Sequence, residues 1–148
     1  QAYGNGLNAL EVDSENILLN GLTKSYLVNA KGVKKEFDRA VLYTGTDWEK
    51  NVQEMSRNGR EPLIGDQVIP LSNGKRAVVI LNQYDQANTD YGYLEILSLE
   101  SGSVIDRISL PTTSEMPPVI RDVNMDGKLD ILIGGYDGYL YCYQLPKY

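Results

Sequence analysis

The sequence predicts an all-β fold built from repeated antiparallel strand units, and three observations predict it. Its apolar runs are short and strand-sized, Val78-Val79-Ile80-Leu81 being typical. Turn pairs punctuate them: Asn73-Gly74, Ser101-Gly102 and Asp137-Gly138, which suit the tight connections of hairpins. The same strand-and-turn plan recurs along the chain, the sign of a repeat architecture.

The C-terminal unit is the clearest. Pro118-Val119-Ile120 leads into a polar loop, Asp122 to Asp130, and Ile131-Leu132-Ile133 follows. Gly134-Gly135-Tyr136-Asp137-Gly138 then turns the chain into Tyr139-Leu140-Tyr141-Cys142-Tyr143. The middle unit repeats this plan. Pro62-Leu63-Ile64-Gly65-Asp66 matches Pro118 to Asp122, Asn73-Gly74-Lys75 matches Asp126-Gly127-Lys128, and Val78-Val79-Ile80 matches Ile131-Leu132-Ile133. Gly92-Tyr93-Leu94 matches Gly138-Tyr139-Leu140, and a fourth strand, Val104 to Ile108, follows the Ser101-Gly102 turn. The N-terminal unit is a looser copy: Ile17-Leu18-Leu19, then Ser25 to Val28, then an Asn29-Ala30-Lys31-Gly32 turn into Val33-Lys34-Lys35-Glu36-Phe37. Gly32 and Gly102 hold the same place in the plan.

Each unit therefore reads as up to four antiparallel strands with apolar inner strands and a more polar outer one, which is how a propeller blade reads. The expected organisation is one domain, 1–148, with about three blade-like units at approximately 7–44, 60–110 and 116–148. Matching strands lie further apart than the ~40–50 residues of common blade repeats, so loops are inserted. One insertion, 47–57, reads as a short helix. Thr46 and Glu49 form a capping box, Trp48, Val52 and Met55 share a face, and Asn58-Gly59 supplies the stop. Its apolar stripe is expected to pack on a sheet, with a lid carrying Trp48 as the alternative.

Composition excludes several functions. The 148 residues are 42% hydrophobic and 23% charged, as in a folded domain. A net charge of −6 gives no cationic face for nucleic acid but is compatible with binding cations. There is no histidine, hence no Ser-His-Asp triad and no histidine-ligated zinc. The single cysteine, Cys142, rules out an intrachain disulfide and is expected to be a small buried hydrophobe. No apolar run approaches the ~20 residues of a membrane-spanning helix. The start at Gln1 reads as a processed or trimmed chain.

The chemistry is concentrated in Asp122-Val123-Asn124-Met125-Asp126-Gly127-Lys128-Leu129-Asp130, a D-x-N-x-D-G-x-x-D pattern. Calcium is a hard cation taking six to eight oxygens. Oxygen side chains at Asp122, Asn124 and Asp126 can converge when the loop curls, with Gly127 permitting the sharp turn. The Lys128 carbonyl and the Asp130 carboxylate are the next expected ligands. An EF-hand would carry a glutamate where Ile133 stands and helices on both sides; here the flanks are strand-like, so this is a β-hairpin version of the loop. The middle unit keeps the turn at Asn73-Gly74-Lys75 but has Ala77 where Asp130 stands. Tyr139, Tyr141 and Tyr143 alternate on one strand face. They are expected to pack, with carbohydrate or protein contact as the functional alternative. Asp85, Asp90, Glu95 and Glu100 are read as solvated surface rather than as a glycosidase pair.

Pro118 to Gln144 resembles FG-GAP/VCBS-type calcium-loop propeller repeats, the kind also found in integrin α-subunit propellers. Ile17 to Phe37 looks more like a blade of the quinoprotein (PQQ-like) propellers. The resemblance implies a structural calcium held by Asp122, Asn124, Asp126, Lys128 and Asp130, and an interaction platform in an extracellular or cell-surface protein, without catalytic residues. A quinoprotein dehydrogenase or polysaccharide-active fragment is the alternative, and a self-assembling surface filament subunit another. Closed propellers use about four to eight blades, so three require completion. Leu7 to Val12 could supply the missing outer strand of the last unit. Otherwise a protein partner or a second copy would complete the ring.

Overall fold

A computed structural model describes residues 8–20, 24–38, 63–82 and 91–145. The expected helix at 47–57 lies outside these residues. The described residues are all-β, with no helix, and form three antiparallel sheets. The chain divides into two compact units, Gln1–Pro62 and Leu63–Tyr148.

The first unit holds a four-stranded sheet in sequential order: β1 (Asn8–Glu11), β2 (Ile17–Asn20), β3 (Lys24–Asn29) and β4 (Gly32–Asp38). Asp13 closes the first hairpin, its Oδ1 accepting the N–H groups of Glu15 and Asn16, each at 2.9 Å. At the β3–β4 turn Gly32 takes a φ of 114°, a conformation costly for any residue with a Cβ. Leu27 pairs with Lys35 while Val28 pairs with Val33, so Lys34 is an extra residue that bulges the outer strand. Of the stretch Leu7 to Val12, read as a possible outer strand of the last unit, Asn8 to Glu11 form β1 and pair with Asn20 to Ile17 of β2. A short strand is most easily captured by the strand that follows it through a tight turn.

The second unit opens with β5 (Leu63–Ile64) and β6 (Ile69–Pro70), which lie along the same edge of β7 (Arg76–Asn82). They form one interrupted strand. Gly65 N–H still donates to the Val79 carbonyl at 2.7 Å before the chain leaves the ladder. β8 (Tyr93–Ser98) and β9 (Val104–Ser109) complete the order β5-β7-β8-β9. Ile96 pairs with Asp106 and Leu97 with Val104, so Ile105 bulges the outer strand much as Lys34 does in the first sheet. The third sheet is β10 (Val119–Arg121), β11 (Asp130–Gly134) and β12 (Leu140–Gln144), in that order.

Within this unit two sheets share a core. Ala77, Val79 and Leu81 of β7 and Leu94 and Ile96 of β8 cluster with Ile120, Ile131 and Ile133 of the third sheet. These residues alternate along their strands, as one buried face requires. The neighbours Val78 and Ile80 are also fully buried, which explains why β7 reads as a continuous apolar run rather than an alternation. Asp66 ties the sheets at the surface: its carboxylate accepts Ile120 N–H at 2.8 Å and pairs with Arg121 at 2.9 Å.

Two expectations are corrected by the second unit. Glu95 is not solvated but 1% exposed. It sits on a central strand opposite Arg107 and accepts a hydrogen bond from the Asn82 amide, the pairing that a buried carboxyl requires. Cys142 is exposed rather than buried. On β12 the half-buried Tyr141 and Tyr143 pack on the core, which turns Leu140 and Cys142 outward.

Truncating Ile131 to alanine is expected to cost about 2–5 kcal/mol. Truncating the exposed Leu140 should change stability by less than about 0.5 kcal/mol. Urea unfolding followed by tyrosine fluorescence would compare the two.

Candidate functional site

The pairing of Arg121 with Asp130 brings the two ends of the acidic loop together. Inside it the polar side chains turn back onto the loop's own backbone. Asp122 accepts the Asp126 N–H through Oδ1 at 3.1 Å and the Gly127 N–H through Oδ2 at 2.8 Å. Asn124 Oδ1 accepts the Asp126 N–H at 3.1 Å, and Asp126 Oδ1 accepts the Lys128 N–H at 2.9 Å. Asp130, only 2% exposed, accepts the Val123 N–H at 3.0 Å through Oδ2. Two left-handed residues tighten the curl, Met125 at φ 61° and Gly127 at φ 84°. The methionine is 91% exposed, so no packing compensates its conformation.

All five expected ligand residues therefore lie on one hairpin loop. Their chemistry suits calcium: three carboxylates, one carboxamide and the Lys128 carbonyl are all oxygen donors. A carboxylate oxygen that accepts one N–H retains a second lone pair. The carboxylates nevertheless do not converge, since among the described residues no three acidic, histidine or cysteine side chains are grouped to hold a metal. Asp122 and Asp126 face loop N–H groups, while Asp130 is held at the base of the loop.

Gln144 was not among the expected site residues. Its Nε2 donates to Asp126 Oδ2 at 2.7 Å, joining β12 to the loop. Only the hairpin register reveals it, because Gln144 stands opposite Asp130. The backbone N–H of Lys128 does most to hold the Asp126 carboxyl below the usual carboxylate range. Desolvation opposes it, and the Asn124 amide, the Lys128 charge and the Gln144 amide add smaller lowering contributions.

The middle unit shows the same turn without the acidic set. Lys75 N–H donates to Asn73 Oδ1 at 3.0 Å, and Gly74 adopts a φ of 78°. Where Asp130 stands in the last unit, Ala77 is buried in the core. Asp66, aligned with Asp122, instead forms the ion pair with Arg121.

A second polar cluster lies at the β11–β12 turn. Asp137 accepts the Tyr139 N–H at 3.1 Å through Oδ1 and the Tyr141 hydroxyl through Oδ2. That hydroxyl bond, with desolvation and the Asp137 charge, pushes the Tyr141 phenol up to about 12. Of the four carboxylates read as surface, Asp85 and Asp90 lie outside the described residues. Nothing in the described residues or in the comparisons indicates an enzyme.

No family model and no curated protein matches the chain. Among solved structures it is similar to a protein of unknown function from Bacteroides caccae, with a TM-score of 0.40 and 8% identity over 97% of this chain. The match covers 47% of that protein, so the chain spans about half its length.

Two outcomes are expected. A Cβ on Gly127 meets nothing within 4 Å, so Gly127→Ala should cost only the left-handed backbone term, about 1–2 kcal/mol, measured by denaturation. Spectrophotometric titration should show one tyrosine ionising near pH 12, returning towards 10 in Asp137→Asn. Because the folded value is the higher one, this bond's contribution is complete below about pH 10 and is lost as pH rises towards 12.

Proposed function

We propose that this chain is a non-enzymatic, calcium-stabilised, propeller-type module of an extracellular or cell-surface protein, working in adhesion or as an assembly scaffold. The curl of the Asp122–Asp130 loop carries the reading. Both oxygens of the first carboxylate accept N–H groups from the fifth and sixth residues. This curls a loop, anchored by β10 and β11, that carries the four further expected oxygen donors, Asn124, Asp126, the Lys128 carbonyl and Asp130.

Asp122, Asn124 and Asp126 would hold the ion with the Lys128 carbonyl and Asp130. Bound calcium would supply the positive charge that sets off three neighbouring carboxylates, and it would tie the two strands at the loop. Gln144, now on Asp126, would orient that carboxylate from the neighbouring strand.

The repeat supports the propeller reading of the three sheets. Two are antiparallel sheets, one of four strands and one of five with β5 and β6 sharing an edge, whose outer strands bulge near a positive-φ glycine, Gly32 or Gly102. Two carry the same Asx-turn and glycine pair, at Asn73-Gly74 and Asp126-Gly127. These features are what supports a repeat reading of the FG-GAP/VCBS or PQQ-like type. A protein partner or self-association would complete such a module. Exposed Tyr136 and Tyr139 beside the loop-bearing sheet are also the kind of surface that carbohydrate stacks on.

Calorimetric titration with calcium chloride tests the reading, paired with thermal unfolding in calcium and in chelator. One saturable site is expected. Stabilisation should reach about 2.7 kcal/mol at a hundredfold excess over the dissociation constant, and Asp122→Asn or Asp126→Asn should lose both effects. No binding heat and identical melting in chelator would sink it.

A further inference from the structure

The outer edge of β12 differs from the other described sheet edges. Gly135 N–H donates to the Tyr139 carbonyl at 2.9 Å. Hydrogen-bonded and open pairs alternate from that point along β11 and β12. Tyr141 and Tyr143, opposite Ile133 and Ile131, therefore direct their backbone groups to β11. Leu140, Cys142 and Gln144 direct theirs outward, along an edge that no described strand occupies.

Natural edge strands are blunted against pairing by charge, proline or bulges. β4 carries Lys34 and Lys35 with a bulge at Lys34, and β9 carries Asp106 and Arg107 with a bulge at Ile105. β6 ends in Pro70, β10 ends in Arg121 after Pro117-Pro118, and β1 ends in Glu11. β12, Leu-Tyr-Cys-Tyr-Gln, has no charge and no proline, and its five pairs with β11 run without a shift. Its outward face presents Leu140, 73% exposed, beside exposed Cys142.

We infer that β12 is an assembly edge that pairs antiparallel with β12 of a second copy, joining two three-stranded sheets into one of six strands. The strand suits its own copy: its five residues carry no charge, so two β12 strands bring no like charges of their own together despite the net −6 of the chain. A two-fold axis at Cys142 places Leu140 opposite Gln144 and Tyr141 opposite Tyr143. The second pair is an aromatic cross-strand contact on the half-buried face, and the contact closes because both copies use the same surface. The inference deepens the assembly part of the proposed function and rests on that part alone, since the edge needs no metal.

Light scattering on the 148-residue chain across a hundredfold range of concentration tests it, in chelator and in calcium. The molar mass should rise from 16.5 kDa towards twice that value in both. Hydrogen exchange at the Leu140, Cys142 and Gln144 amides should slow as the dimer forms, while the Tyr141 and Tyr143 amides stay protected throughout. Cys142→Pro removes an outward N–H and leaves the β11 ladder intact; Leu140→Lys adds a charge to the exposed face. Both should hold the chain monomeric at concentrations at least tenfold above the wild-type midpoint, with circular dichroism confirming their fold. A wild-type chain monomeric throughout, or a dimer that both folded variants retain, overturns the inference. Calcium titration of the same samples separates the two readings, because a monomer that binds calcium overturns the edge pairing and leaves the loop reading standing.

Discussion

The packing of β7 and β8 against Ile120, Ile131 and Ile133 is the constraint on which the second unit depends. Each sheet alone would leave the face that carries these residues open to water. Together they remove Val79, Leu81, Leu94, Ile96 and the three isoleucines from water, at a gain of roughly 25 cal/mol for each Å² of apolar surface. Gly65 keeps the approach close: a Cβ there would stand 3.2 Å from the Ile120 side chain. The polar tie of Asp66 to Ile120 and Arg121 then aligns the two sheets without entering their core.

That packing also positions the acidic loop. Once Ile131 and Ile133 face the core, the period of two turns Asp130 to the other side of β11. Its burial there, on the Val123 N–H, pins the end of the loop to its start. The same register sets Gln144 across from Asp130 and within reach of Asp126. The loop is thus held by a core some residues away, while its tip, from Val123 to Lys128, stays exposed.

The sheets share a plan but differ at their margins. In the first and second, a bulged and charged outer strand closes the meander. In the third, the strand at the margin is β12, whose alternation sends tyrosines inward and leaves a neutral backbone edge. In a repeat architecture each unit depends on a neighbour to cover what it leaves open, and an edge of this kind is where such dependence would be met.

Much was legible in the sequence because it is local. The strands around Val78–Ile80, Ile131–Ile133 and Ser25–Val28 follow from short apolar runs between turn residues. The positive φ of Gly32, Gly74, Gly102, Gly127 and Gly138 follows from turns that a Cβ would strain. The ligand-type residues of the loop could be named in order because their spacing is a property of the chain. Tertiary structure alone decided the rest. Period two says that a strand has two faces, not which one is buried, so Cys142 emerged exposed and Glu95 buried. A strand pattern does not name its partner, so only the folded sheet showed β1 on β2 and Gln144 on Asp126. The sequence determined where the chain bends and which atoms it carries; the packing of sheets, driven by burial of whole faces, decided which of those atoms meet.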